Sequence, residues 1–552
     1  MRLKLIKISK RRPSVNDEPL KVKLSYLRGM KTALLSLIFL FASLSVLSQS
    51  KVIVFLKDKG DSPNMQLSER AINRRLKNNA VLDENDRVLY APYLEELSND
   101  GIILNQSKWL NAVTFETDVA PNDLLAKYAF IERISASKKE KPIPRKDVFD
   151  YVDPKALNYG NADTQVRQIG ADCMHDLGYT GQGVYMAIID AGFKGMDTIP
   201  YFDSVYNQNR VLDTFDFTNN ASIYNYSGHG TAVSSCVFGH KGGLDPYAGT
   251  AVDVDVALYV AEDVASETLI EEFNVVAALE RCDSVGVDIA NISLGYFGFD
   301  DPSENHAYAD LDGNTTIAAM GVNVAASKGI VVVMSAGNAG PSNISTPCDA
   351  DNGLCVGATD NQGNYAFFSS VGPASDGAIK PDVAATGWNT WVILEDGSLV
   401  MGNGTSFSSP VMAGGVACLI GAHPTKSVAQ IIASVQESGH QFDTPDEFLG
   451  YGIPDLCEAN DSLNISGVGI HEIGDAIYTL FPNPTSGIVT IYGLENHKAY
   501  EIEILNNVGQ IVFKELVTAG EQPTINVHFL ANGIYTVRLN EGTFMKRLVV
   551  QH

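Results

Sequence analysis

Between about residues 161 and 464, continuous apolar runs stop abruptly at polar residues, and this pattern restricts the fold more than any other feature of the chain. Residues 184–189 end at Asp190, and residues 330–334 end at Ser335. Residues 256–260 and 287–294 behave similarly, though each is less purely apolar. Stretches of helical length, 265–281 and 318–328, separate such runs. Strands apolar on both faces that alternate with helices predict an α/β unit, a parallel sheet with helices on both faces. Ligands bind beyond the carboxyl ends of the strands in such sheets, which is where the polar residues sit.

Composition narrows the partners. The chain has 552 residues, enough for several domains at roughly 100–200 residues each. Its 40 Lys and Arg face 65 Asp and Glu, a net charge of −25 that repels phosphate backbones, so no nucleic-acid partner is expected. A 45% hydrophobic content excludes a mainly disordered chain. Seven cysteines cannot all pair internally and are too sparse for a disulfide scaffold.

The two ends are built differently. Residues 1–48 form an N-terminal extension with basic residues at Arg2, Lys4, Lys7, Arg28 and Lys31, followed by an apolar run over 33–47. That order predicts a secretory signal peptide cut before Gln49, and Met30 is an alternative start. The run is shorter than the ~20 residues that span a bilayer as a helix, so no stable membrane span is expected. Export would allow disulfides to persist. From 474 to 552 the pattern becomes short alternating segments, 501–504, 524–529 and 534–539, divided by turns at Asn506-Asn507-Val508-Gly509 and Ala531-Asn532-Gly533. Period-two alternation predicts a small antiparallel β-sandwich. Leu480-Phe481-Pro482-Asn483-Pro484, the Gly533-Ile534-Tyr535 turn and the ending Lys546-Arg547-Leu548-Val549-Val550 resemble the C-terminal sorting domain of type IX secretion. This implies that machinery as a partner and a Gram-negative outer surface or medium as destination. An ordinary binding module of the same sandwich type is the alternative.

Between the ends, residues 49–139 read as an α+β unit with strands at 52–56 and 112–115 and a helix at 121–128. Residues 140–160 read as a linker, its start continuous with the basic, proline-broken stretch 138–146, where proteolytic cuts concentrate. Residues 161–464 are the α/β unit, and 465–473 join it to the sandwich.

Four short motifs lie at the edges of the apolar runs: Asp190-Ala191-Gly192, His229-Gly230-Thr231, Ser335-Ala336-Gly337-Asn338, and Gly404-Thr405-Ser406-Phe407-Ser408-Ser409-Pro410. Alone, the first is an ordinary turn, the second a helix start and the third a loop. Together, Asp, His and Ser in this order suit nucleophilic catalysis. A serine hydroxyl is a weak nucleophile until a base takes its proton. Imidazole is suited to that work because its pKa of about 6.5 lies near working pH. A carboxylate then holds the productive tautomer. Ser406 at a helix start leaves its N–H free for a developing oxyanion, and the Asn338 amide supplies a second donor.

These motifs resemble those of the subtilase family of serine endopeptidases over about three hundred residues. The resemblance implies a subtilisin-like fold that hydrolyses polypeptides with Asp190, His229 and Ser406 as triad and Asn338 at the oxyanion. It also implies that Ser293, Leu294 and Gly295 pair with an extended substrate and that Ser335, Ala336 and Gly337 wall the pocket before the cut. Ala191 stands where the family has Ser or Thr, and Phe407-Ser408 where it has Met-Ala. The resemblance then implies that the unit 49–139 is a propeptide that assists folding, occupies the cleft as an inhibitor and is cut away within the linker. No cofactor is required, and the resemblance allows a structural Ca2+. The one loop-like candidate, Asp310-Leu311-Asp312-Gly313-Asn314, lacks the Gly at position six and the Glu at position twelve of a calcium loop. Cys348 and Cys355 are close enough to bridge, whereas Cys236, Cys282 and Cys418 lie in apolar helical stretches and read as buried thiols. An inactive adhesin and an esterase are the competing functions.

Overall fold

The computed structural model describes residues 50–136, 148–150, 159–464 and 479–550, with breaks at 219–221, 244–245, 482–484, 493–498, 507–509, 519–523 and 540–543. The expected signal peptide, most of the basic linker and the 465–473 connection lie outside the described residues.

The first unit is a four-stranded antiparallel sheet in the order β2-β3-β1-β4. Its strands are β1 (Ser50–Leu56), β2 (Gly101–Ser107), β3 (Ala112–Thr117) and β4 (Ile131–Ala136). Alternation divides the sheet between two cores. Val52, Val54, Val113 and Phe115 pack under Leu97 and Leu124, while Ile53, Phe55 and Ala112 join a core of the next unit beside Phe273 and Ala277. The expected helix appears at Pro121–Lys127. Polar helix α1 (Glu69–Lys77), capped by Ser68, carried no apolar period to announce it.

The second unit holds a seven-stranded sheet whose neighbours are all parallel. Its strands are β5 (Tyr185–Asp190), β6 (Val211–Asp216), β7 (Asp255–Val260), β8 (Ile289–Ile292), β9 (Val331–Ser335), β10 (Leu354–Thr359) and β11 (Val383–Thr386). The order is β11-β10-β9-β8-β5-β7-β6, so the chain leaves β5 in one direction and continues from β8 in the other. β5 therefore sits at the switch point. Met186 and Ile188 enter the core on one face, and Tyr185, Ala187 and Ile189 enter the core on the other.

The helices that matter for the site are α2 (His229–Phe238), α3 (Leu269–Val285), α4 (Ile317–Ser327), α5 (Thr405–Ala422) and α6 (Val428–Glu437). The helix expected over 265–281 is displaced to α3. Thr268 and Glu271 form a capping box that starts it, the Thr268 N–H donating to Glu271 Oε2 at 2.7 Å, and Gly286 ends it at φ +93°. Helix α5 is long and apolar enough to cross a membrane, yet nearly all of it is buried in the core.

Cys348 and Cys355 form a disulfide. So do Cys173 and Cys457, a pair 284 positions apart that local spacing could not reveal. Cys236, Cys282 and Cys418 are buried free thiols. The last unit is a sandwich of a three-stranded and a four-stranded antiparallel sheet around Val489, Ile491, Ile502, Ile504, Val537 and Leu548. The Tyr535 hydroxyl donates to Ala531 O at 2.9 Å, which holds the turn at Gly533.

Candidate active site

Asp190 is the last residue of β5 and is fully buried. His229 opens α2, and its Nδ1 lies 2.6 Å from Asp190 Oδ1. A carboxylate only accepts, so Nδ1 donates and Nε2 of the neutral ring is left as an acceptor. Oδ1 also accepts the Ala191 N–H at 2.8 Å. Oδ2 is buried without a hydrogen-bond partner among the described residues, and Ala191 offers it no hydroxyl. Gly230 permits this approach of helix to strand: a Cβ there would lie 2.6 Å from Gly192 O and 3.0 Å from Asp190 Cβ.

Ser406 is the second residue of α5, in the turn whose N–H groups have no carbonyl four residues back. Its Oγ faces Ser293 O at 3.5 Å. The next residue, Phe407, lies beside the His229 ring, with centroids 6.3 Å apart. The starts of α2 and α5 thus meet over the end of β5, bringing the Asp, His and Ser segments together from more than two hundred positions of chain.

Pro410 is inside α5 and has no N–H for the carbonyl of Ser406, four residues earlier. The Ser293 hydroxyl takes that role, donating to Ser406 O at 3.0 Å. Asn291 Nδ2 donates to Ser293 Oγ at 2.9 Å, and Ser409 Oγ donates to Asn291 Oδ1 at 2.8 Å. The Ser293 side chain is therefore occupied in binding α5, and Leu294 is buried. Ser335 and Ala336 are buried at and after the end of β9, and Gly337 adopts φ +108°. A Cβ on Gly295 or on Gly337 would come within 2.9 Å of Ser345, so the two glycine segments face each other across that serine.

Asn338 is exposed, and its amide is oriented. Oδ1 accepts the Thr405 N–H at 2.9 Å and the Thr405 hydroxyl at 3.0 Å, while Thr405 Oγ1 accepts the Gly337 N–H at 3.1 Å. With its carbonyl held, the amide presents Nδ2 as donor. Thr405, Asn291 and Ser409 went unremarked as supports in the sequence, although Thr405 directly precedes the serine. In the acidic turn, Asp312 Oδ1 accepts from Asn314 N and Thr315 N, and Oδ2 from the Thr315 hydroxyl. No group of three or more His, Cys, Asp or Glu is placed to hold a metal among the described residues.

Known proteins bear on this geometry. Residues 181–452 match the model of the subtilase family, 51–148 that of the peptidase S8 propeptide domain of Bacteroidota, and 479–551 that of the secretion system C-terminal sorting domain. Subtilisin DY from Bacillus licheniformis is 31% identical over 270 residues, 48% of this chain and 86% of that protein. Subtilisin BL from Lederbergia lenta is 28% identical over 267 residues, 48% of this chain and 87% of that protein. The crystal structure of MycP1 from Mycobacterium smegmatis aligns with 58% of this chain and 89% of its own, at 22% identity and a TM-score of 0.44. The sorting domain and the Bacteroidota propeptide together support a protein secreted or displayed at the cell surface in the Bacteroidota. With its parallel sheet, its S8 propeptide and that sorting domain, the chain belongs to the subtilase family of serine proteases.

Proposed function

We propose that the protein is an endopeptidase that cuts polypeptides through an acyl-enzyme, with Asp190, His229 and Ser406 as its triad. The observation that carries this reading is the 2.6 Å Asp190–His229 pair at the sheet's switch point, beside a serine in the first turn of a buried helix. Ser406 Oγ attacks the peptide carbonyl while His229 Nε2 takes its proton. The oxyanion accepts hydrogen bonds from the Ser406 N–H and Asn338 Nδ2. Collapse expels the amine, which receives the proton from His229, and a water then attacks the acyl-enzyme by the same route in reverse. Asp190 holds Nδ1–H and stabilises the imidazolium. The backbone of residues 293–295 lies along the substrate. A structural Ca2+ is compatible with the family but takes no part in these steps.

The same site would separate the propeptide, by a cut between residues 139 and 161. The test is labelling with a fluorophosphonate together with hydrolysis of casein, against a Ser406→Ala control. Labelling and hydrolysis that vanish in the control are expected, as is retention of the uncut propeptide. Absence of labelling in the parent chain would identify an adhesin, and ester cleavage without casein cleavage would identify an esterase.

A further inference from the structure

The propeptide holds the catalytic unit at a place far from the candidate cleft. The cleft lies at the carboxyl ends of the strands, whereas α1 lies at their amino ends, against Gly183, residues 282–288 and Lys328, just before β5, β8 and β9. Strands of about six residues separate the two regions by roughly 20 Å.

The contact seats two adjacent arginines. Arg74 and Arg75 are both buried, and both bind the buried carboxylate of Asp283. Arg74 Nη2 and Arg75 Nη2 each lie 2.5 Å from it and Arg75 Nε 3.0 Å. Arg74 also donates to the carbonyls of Val287 at 2.8 Å and Lys328 at 3.1 Å. Charge crosses the boundary in the opposite sense as well, since buried Lys328 donates to Asp83 at 2.8 Å and Asp86 at 3.2 Å. Arg75 ties Asp86 into the same network at 2.6 Å. Around this centre Arg70 pairs with Asp288 and donates to Gly286 O, and Asn78 Oδ1 accepts the N–H of Val428 at the start of α6. Gly286 and Gly329, both at positive φ, leave room for α1: a Cβ on Gly286 would lie 2.8 Å from Ala71 N.

Every hydrogen-bond partner of the Asp283 carboxylate and of the Lys328 ammonium among the described residues comes from the propeptide. Releasing it would break all of these charged contacts together, and inside the complex, removing one partner of a buried pair costs more than opening an exposed one. Buried pairs are also weakly screened by salt. We propose that this pole is an arginine-pair receptor whose occupant is α1 of the chain's own propeptide, and that it retains the propeptide after the linker is cut, whatever the state of the cleft. The biological consequence rests on the endopeptidase reading, but the retention does not.

The test therefore removes catalysis. Full-length Ser406→Ala protein is nicked with limited trypsin in the basic stretch 138–146, and the cut is confirmed by mass spectrometry. The nicked protein is then passed over a sizing column in 1 M NaCl. The propeptide fragment should co-elute with the catalytic unit, and Asp283→Asn should speed its release by about 100-fold or more. Immediate release from the parent protein, or equal retention by Asp283→Asn, would overturn the proposal. If Asp283→Asn does not fold, Arg70→Ala provides the second variant, because that side chain is 40% exposed at the rim. It should speed release by about tenfold, and an unchanged rate would again overturn the proposal. A parent chain that shows no fluorophosphonate labelling would refute only the endopeptidase reading.

Discussion

Thr405 is the sharpest place to perturb the site, because its hydroxyl holds Asn338 without being placed to touch the substrate. Thr405→Val keeps the shape and the backbone N–H bond to Asn338 Oδ1, but deletes the 3.0 Å bond from Oγ1. It also removes the acceptor of the Gly337 N–H. One neutral hydrogen bond contributes about 1 kcal/mol, or about fivefold in rate if all of it is felt in the transition state. Deleting the donor itself, in Asn338→Leu, should cost about 10²–10³. Steady-state kinetics on a peptide substrate should show kcat falling about 3- to 10-fold in Thr405→Val with KM nearly constant, as expected for an interaction made as charge develops. The unpaired Gly337 N–H should also lower stability by about 1–2 kcal/mol. Thr405→Ser should recover most of both losses. The decisive measurement is the double variant. If Thr405 acts only through Asn338, then Thr405→Val with Asn338→Leu should match Asn338→Leu alone within about twofold. Multiplying costs, or a rise in KM with kcat untouched, would refute the reasoning.

Other consequences are open to measurement. Ser293→Ala should destabilise the protein by about 1–3 kcal/mol, because Ser406 O loses its donor. Pro410→Ala restores an N–H in α5, so the double variant should lose less than the sum of the singles, and strict additivity would argue against the exchange. Replacing Cys173 and Cys457 by serine opens a 284-residue loop, for which chain entropy allows up to about 5–6 kcal/mol, against about 2–3 for the seven-residue Cys348–Cys355 loop. Equal losses in thermal unfolding would show that loop length does not govern their contributions. Burial pushes the pKa of His306 down, but the hydrogen bond and charge of Glu272, with Asp310 and Asp349 nearby, prevail and leave it above 6.5. Protonation of His306 thus favours the native state. Its contribution is complete below about 6.5 and fades as pH rises through the native value. His306→Gln should remove that pH-dependent component of stability, and an unchanged profile would exclude it.

Much of this molecule was already written in the order of its residues. Apolar runs buried on both faces require helices above and below a parallel sheet, and a parallel sheet directs its loops, and with them Asp190 and Asn338, to one edge. The side chains proposed to react stood out in the sequence because each lies where a run ends and because chemistry allows few residue types in those roles. Their supports were not. Thr405 matters through what its hydroxyl reaches at Asn338, Ser293 because a proline distant in sequence leaves a carbonyl unpaired, and Cys173 because folding brings Cys457 to it. The arginines of α1 carried no signal in the sequence, since nothing local distinguishes a charge that meets water from one that meets Asp283. Period and residue type are properties of neighbours along the chain, and they determine the framework. Partners across the fold belong to the packed structure, because burial decides which polar atoms must be paired and geometry decides with what.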